Sequence, residues 1–169
     1  MTHLIATFFY IGHLRPAPGT WGSFAALPAA WVIYALIGPW GLFAGVILSY
    51  VLGVWATGVE TSGKDNHDPS EIVIDEVCGQ WIALLPVAFG AASAGVSITT
   101  LWPGWIAAFA LFRLFDITKW GPVGWADRIH GPTGVMLDDV FAGLFAAIGV
   151  MALAWLAHVG FVNAVPDQL

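Results

Sequence analysis

Charge is what this sequence has least of. Only sixteen of its 169 residues are Asp, Glu, Lys or Arg, and two long tracts, residues 24–59 and 77–112, contain none. A soluble domain spreads charge over its whole surface, so this distribution excludes an ordinary water-exposed globule. Lys and Arg number five and stand among eleven acids, which excludes a basic stripe able to follow a nucleic acid backbone. Cysteine is reduced to Cys78, which excludes an intramolecular disulfide and a Cys-rich zinc site; within an apolar tract it reads as a small apolar residue. The opening MTHLIATFFYIG lacks the basic start and small-residue cleavage site of a secretory signal, so it is expected to remain as a short first helix. No repeat or low-complexity segment stands out.

Apolar residues are what the chain has in excess. Hydrophobic residues make up 59% and charged residues 9%, against roughly 45–50% and about 25% in globular domains. With a mean hydropathy of +0.81, membrane residence follows. One spanning helix needs about 20 apolar residues, so residues 24–59 are too long for one span, and GPWG at 38–41 is the expected break. A short helix to about Ile37 and a fuller one from about Gly41 are expected. Residues 77–97 and the stretch after Trp102-Pro103-Gly104 predict another pair, with a kink at Pro86, and residues 140–165 a fifth long helix. The expected fold is all-α: a single membrane-embedded bundle over 1–169, with about five long helices, a short N-terminal one and the active-site loops on one side.

Fourteen of the sixteen charges fall within residues 60–76 and 113–139. Two out-and-back hairpins bring both islands, with residues 15–23, to one side of the bilayer. Arg15, Lys64, Arg113, Lys119 and Arg128 then share that side, which the positive-inside rule makes cytoplasmic; Asp167 falls on the other.

In the first island, Asp68 has the character of a helix N-cap, with Pro69 at the first helical position and Glu71 three residues after the cap. Asp75 and Glu76 then fall in the second turn, between Ile72–Ile74 and Trp81–Leu85. A charged carboxylate at a membrane helix centre costs about 2.5–3.5 kcal/mol, so acids near hydrocarbon are normally paired, hydrated or metal-bound. In the second island, Arg113, Asp116 and Lys119 recur every third residue and meet on one helical face. They form either a salt-bridge ladder or part of a site. Asp138-Asp139, where a helix enters the membrane, repel each other unless a cation lies between them and other carboxylates. Oxygen ligands without a His or Cys cluster favour Mg²⁺ over zinc. His130 is a candidate for orienting a ligand.

RPAPGTWGS, residues 15–23, is rich in turn formers. The amides of residues 19–23 and the hydroxyls of Thr20 and Ser23 suit an oxyanion, although the segment lacks a nucleotide P-loop ending. With Arg15, Arg113, Lys119 and Arg128, it completes a set of donors for phosphate beside acids for Mg²⁺.

These segments resemble the bacterial phosphatidylglycerophosphatase A family, whose members carry PGT-x-GS, IV-x-DE, FR-x-x-D-x-x-K, then DR, HG-x-x-G and a closing DD. Here they stand in that order as PGTWGS (18–23), IVIDE (72–76), FRLFDITK (112–119), DRIHGPTG (127–134) and MLDD (136–139). The resemblance implies an all-helical, Mg²⁺-dependent phosphomonoesterase that converts phosphatidylglycerophosphate to phosphatidylglycerol at the bacterial inner membrane. It assigns Asp75, Glu76, Asp116, Asp138 and Asp139 to metal binding and catalysis. Arg15, Thr20, Ser23, Arg113, Lys119, Arg128 and His130 become the phosphate-binding candidates. Attack by metal-activated water and a covalent aspartyl-phosphate both remain open.

Two rivals belong to other classes. An ion or proton transporter would use the carboxylates as a path and place them near mid-span, whereas these lie at the ends of apolar tracts. A membrane scaffold with salt-bridged ends would lose abundance, and no reaction, on neutralising Asp138 or Asp139. The chain also lacks a Cys-x₅-Arg loop, a DxDx(T/V) nucleophile motif and a DG-x₂-AR signature.

Overall fold

The computed structural model describes residues 1–64 and 69–164. Among them every regular element is helical: α1 (Thr2–Ala6), α2 (Pro18–Ile37), α3 (Pro39–Thr61), α4 (Ile74–Ala94), α5 (Trp102–Thr118), α6 (Pro122–Ala126) and α7 (Pro132–Ala164), with 3₁₀ turns at Ile11–His13 and Ile98–Leu101. Helices α2, α3, α4, α7 and the Ile98–Thr118 stretch containing α5 are each long and apolar enough to cross a membrane.

Helix α4 is the central one. Its apolar window is 61% buried, against 17–28% for the other four, and it packs on α2, α3, α5 and α7. The Trp81 indole of α4 donates to the Ala26 carbonyl of α2 at 2.9 Å, tying the two together inside the apolar core. The outward faces of the surrounding helices carry exposed Leu, Ile, Val and Trp, as lipid contact requires.

Chain breaks lie close to the sequence expectation, and several helices start earlier than expected. The α2–α3 break falls at Gly38, with φ of 80° before Pro39. Helix α2 begins at Pro18, so it is 20 residues long rather than a short segment, and residues 18–23 are its first turns. Helix α7 begins at Pro132 rather than residue 140, placing Asp138 and Asp139 in its second turn. In both, proline at a helix start loses no hydrogen bond, so turn-forming sequences become helix entries. Helix α4 continues through Pro86.

The start of α4 corrects a further expectation. The helix begins at Ile74, with Val73 at the cap position, so Pro69 and Glu71 precede it and Asp75 and Glu76 occupy its first turn. The expected cap, Asp68, lies outside the described residues, as does Asp167. The delay has a tertiary cause: the Val73 amide donates to the Ala6 carbonyl at 2.9 Å, and the Ile72 amide turns back to the Pro69 carbonyl. Helix α1 is itself held to the end of α3, where the Thr2 hydroxyl donates to Glu60 at 2.6 Å and His3 lies 3.2 Å from the same carboxylate. The short N-terminal helix thus fixes where α3 ends and where α4, with its two acids, begins.

Candidate active site

Four helix ends meet at one end of the bundle. The first turns of α2 and α4, the last two turns of α5 and the second turn of α7 enclose a cavity of about 280 Å³. Pro18, Gly19 and Thr20, Asp75 and Glu76, Arg113 and Asp116, Lys119, and Asp138 and Asp139 line it, with Ser70 and Ile72 at its wall. The five carboxylates come from three separate helices.

Close helix crossings make the convergence possible. A Cβ at Gly79 would come within 2.5 Å of the Asp139 carbonyl oxygen and strike the Phe112 ring, and one at Gly143 would lie 3.0 Å from Gly79 Cα. Only the absence of side chains lets the α4 and α7 backbones approach this closely, which draws Asp139 to Asp75 and Glu76. Gly19 does the same for α2, since a Cβ there would run into the Glu76 carboxylate and lie 3.3 Å from Arg113 Nη1.

The acids form two overlapping groups, Asp75–Glu76–Asp139 and Asp116–Asp138–Asp139, each with one ligand oxygen per residue within 4.8 Å of the others. Asp139 belongs to both and is only 2% exposed. Its Oδ1, and Oε2 of Glu76, are buried with no hydrogen-bond partner among the described residues. Buried carboxylate oxygens left without donors are costly. A divalent ion would satisfy them, and an all-oxygen donor set fits the hard cations Mg²⁺ and Ca²⁺. The residues present therefore fit the metal that the sequence implied.

The cations pair with the outer acids. Arg113 Nη1 lies 2.6 Å from Asp116 Oδ2, and Lys119 Nζ lies 3.3 Å from Asp116 Oδ1, the every-third-residue ladder read from the sequence. Lys119 also contacts Asp138 Oδ2 directly and reaches Asp127 Oδ1 at 3.4 Å. Burial opposes its charge, but the negative fields of Asp138, Asp139 and Asp116 prevail and hold its ammonium above the usual lysine range. The residue caps α5 in the left-handed conformation, φ 49°, which turns its side chain back over the acids.

The chain matches the family model of phosphatidylglycerophosphatase A over residues 4–154. It belongs to that family. It is 36% identical to the phosphatidylglycerophosphatase A of Haemophilus influenzae over 154 residues, covering 90% of this chain and 88% of the relative. Identity is also 36% to the Escherichia coli phosphatidylglycerophosphatase A over 148 residues, 86% and 78% of the two chains. A putative phosphatidylinositol-3-phosphatase of Bacteroides thetaiotaomicron is 36% identical over 159 residues, 90% and 93%. No solved structure matches the chain. As a member of a phosphatase family, this protein is an enzyme rather than a transporter or scaffold.

For this phosphatidylglycerophosphatase A relative, the structure sorts the candidate residues into three places. Asp75, Glu76, Asp116, Asp138, Asp139, Thr20, Arg113 and Lys119 line the acid cavity. Arg128 and His130 line a neighbouring cavity of about 540 Å³ with Asp127, and Asp138 forms part of both walls. Arg15 and Ser23 line neither. The Arg15 guanidinium donates to Ser70 Oγ at 3.1 Å, so it reaches the site only through the Ser70 wall. The fully buried Ser23 hydroxyl donates to the Gly19 carbonyl at 2.8 Å and accepts from Arg113 Nη1 at 3.4 Å. Ser23 is therefore a support for Arg113, and the expected loop cradle of residues 19–23 is a helical first turn whose later amides bond within α2: Trp21 already donates to Ala17.

Sequence reasoning placed Asp127, the third partner of Lys119, in the DRIHGPTG segment but gave it no role, because a single acid there shows no spacing to other charged residues. It also passed over Gln80, fully buried one turn below Glu76 with no hydrogen-bond partner for its amide among the described residues. A polar residue four positions after an acid, in an otherwise apolar helix, is the signal that was available.

Proposed function

We propose that this protein is a Mg²⁺-dependent phosphomonoesterase that hydrolyses phosphatidylglycerophosphate to phosphatidylglycerol and phosphate at the bacterial inner membrane, with its site facing the cytoplasm. The observation that carries the reading is the convergence of five carboxylates from α4, α5 and α7 beside Arg113 and Lys119, in a chain of this family. A transferring phosphoryl group needs its negative charge neutralised and little else from the protein. The orientation rests on the location of all five Lys and Arg in the segments at this end.

Asp75, Glu76, Asp116, Asp138 and Asp139 would hold the metal. When bound, a divalent ion supplies Lewis-acid polarisation of the phosphoryl oxygens and lowers the pKa of a nearby water. Arg113 offers a planar donor pair to phosphate oxygens, held in place by Asp116 and Ser23. The Thr20 hydroxyl, in the first turn of α2, adds a neutral donor where the helix dipole favours negative charge. One carboxylate accepts the proton of the attacking water as its oxygen bonds to phosphorus. The phosphorus–oxygen bond to glycerol then breaks, and the glycerol oxygen takes up a proton. The exposed apolar faces of the helices keep the diacylglycerol part of the substrate in lipid while its headgroup reaches the bundle end.

The test is release of inorganic phosphate by purified protein in detergent. Phosphatidylglycerophosphate is the expected substrate, with activity present in Mg²⁺ and lost with chelator. Phosphatidylinositol 3-phosphate is the comparison substrate, because the Bacteroides relative is as similar as the other two. Preference for the inositol lipid would overturn the substrate, and undiminished turnover in chelator would overturn the metal dependence.

A further inference from the structure

Lys119 occupies a position that a simple phosphate ligand would not. Its ammonium lies between Asp116 and Asp138, two members of the second acid group, and among the described residues its ion pairs are with Asp116, Asp127 and Asp138. An ammonium and a divalent cation cannot both sit against Asp116 and Asp138 without strong mutual repulsion. Resting on the metal reading above, we propose that Lys119 is an internal cation that holds the Asp116–Asp138 pair until a second divalent ion displaces it onto Asp127.

Three features support the exchange. Asp127 is already within 3.4 Å of Lys119 Nζ, and its side chain is 47% exposed, so it can take the whole ion pair at little desolvation cost. Asp127 and Asp138 line the neighbouring cavity together, so the ammonium moves from one carboxylate to the other along a continuous wall. A lysine is suited to this motion, being a compact charge with three donors on a flexible four-carbon stem.

The exchange couples two events. Filling the first acid group leaves Lys119 where it is. Filling the second drives its ammonium towards Asp127, into the cavity that already holds Arg128 and His130. Metal loading thereby moves a cation out of the acid cavity, and the resting enzyme carries its own counter-ion for two buried acids.

The chain has two lysines, Lys119 and Lys64, which provides an internal reference. The experiment titrates the purified protein with Mn²⁺, counts bound ions by electron paramagnetic resonance, and follows acetylation of Lys119 against Lys64 by mass spectrometry. The first ion should leave the ratio unchanged, and the second should raise it about tenfold. Lys119→Met should bind the second Mn²⁺ about tenfold more tightly and leave the first affinity within about twofold. Asp127→Asn should weaken the second ion in the wild-type background and have no effect in the Lys119→Met background, since the acid acts only by receiving the lysine. A constant acetylation ratio through both binding steps, a single bound ion in Lys119→Met, or an Asp127→Asn effect that persists without Lys119 would overturn displacement while leaving the metal reading standing. Failure of wild-type protein to bind any Mn²⁺, or undiminished binding in Asp139→Asn, would overturn both.

Discussion

Helices α4, α5 and α7 build both ends of the bundle and give them opposite chemistry. At one end they contribute Asp75 and Glu76, Arg113 and Asp116, and Asp138 and Asp139 to the acid cavity. At the other they line an apolar cavity of about 630 Å³ with Pro86 and Val87, Gly104 and Ala107, and Val150 and Ala154. From Glu76 to Pro86 is ten residues of helix, about 15 Å, or half the hydrocarbon thickness. The larger cavity has an entirely apolar lining and buries nothing that needs a partner, whereas the smaller one is closed around costly groups. Cavity size is no guide to the site here; the cost of what each end buries is.

Exchanging features between the two ends should sharpen this contrast. The largest effect is expected at the shared acid: Asp139→Asn should lower phosphate release by more than about 100-fold, with unchanged helical content by circular dichroism and unchanged yield from detergent. A parallel fall in yield would return Asp139 to a structural role. A smaller but broader loss is expected where the two helices cross. Gly79→Val should destabilise the fold by about 1–3 kcal/mol, read as a lowered thermal midpoint, and should cut activity as well, because the added carbons press on the Asp139 backbone and Phe112. An active variant of normal stability would show that the crossing does not position the acids. The smallest effect belongs to the far end, where Ala154→Leu fills apolar space and should leave turnover within about twofold and stability within about 1 kcal/mol. A large loss of activity there would couple the two ends.

The sequence made the fold class and most of the acid cavity legible for identifiable reasons. Charge-free tracts report lipid directly, and acids at their ends must be compensated, so Asp75, Glu76, Asp116, Asp138 and Asp139 stood out before any geometry. Helix starts were read less well. The segments at residues 18–23 and 132–139 contain Gly and Pro and look like loops, yet each opens a helix at its proline. Start of α4 at Ile74 depends on the Val73–Ala6 hydrogen bond, a contact across 67 positions that no local spacing contains. The roles of Ser23 and Arg15 changed for a similar reason: each does bond, as its chemistry required, but the partners Arg113 and Ser70 are set by packing. Asp127 gained significance only because Lys119 turns back at the end of α5.

The most direct test of the acid cluster is to locate a divalent ion by anomalous diffraction from crystals grown with Mn²⁺. The account predicts a peak at coordination distance from the Asp139 carboxylate, flanked by Asp75 and Glu76 on one side and by Asp116 and Asp138 on the other. Manganese bound only elsewhere, with these five carboxylates left to protein partners alone, would contradict it.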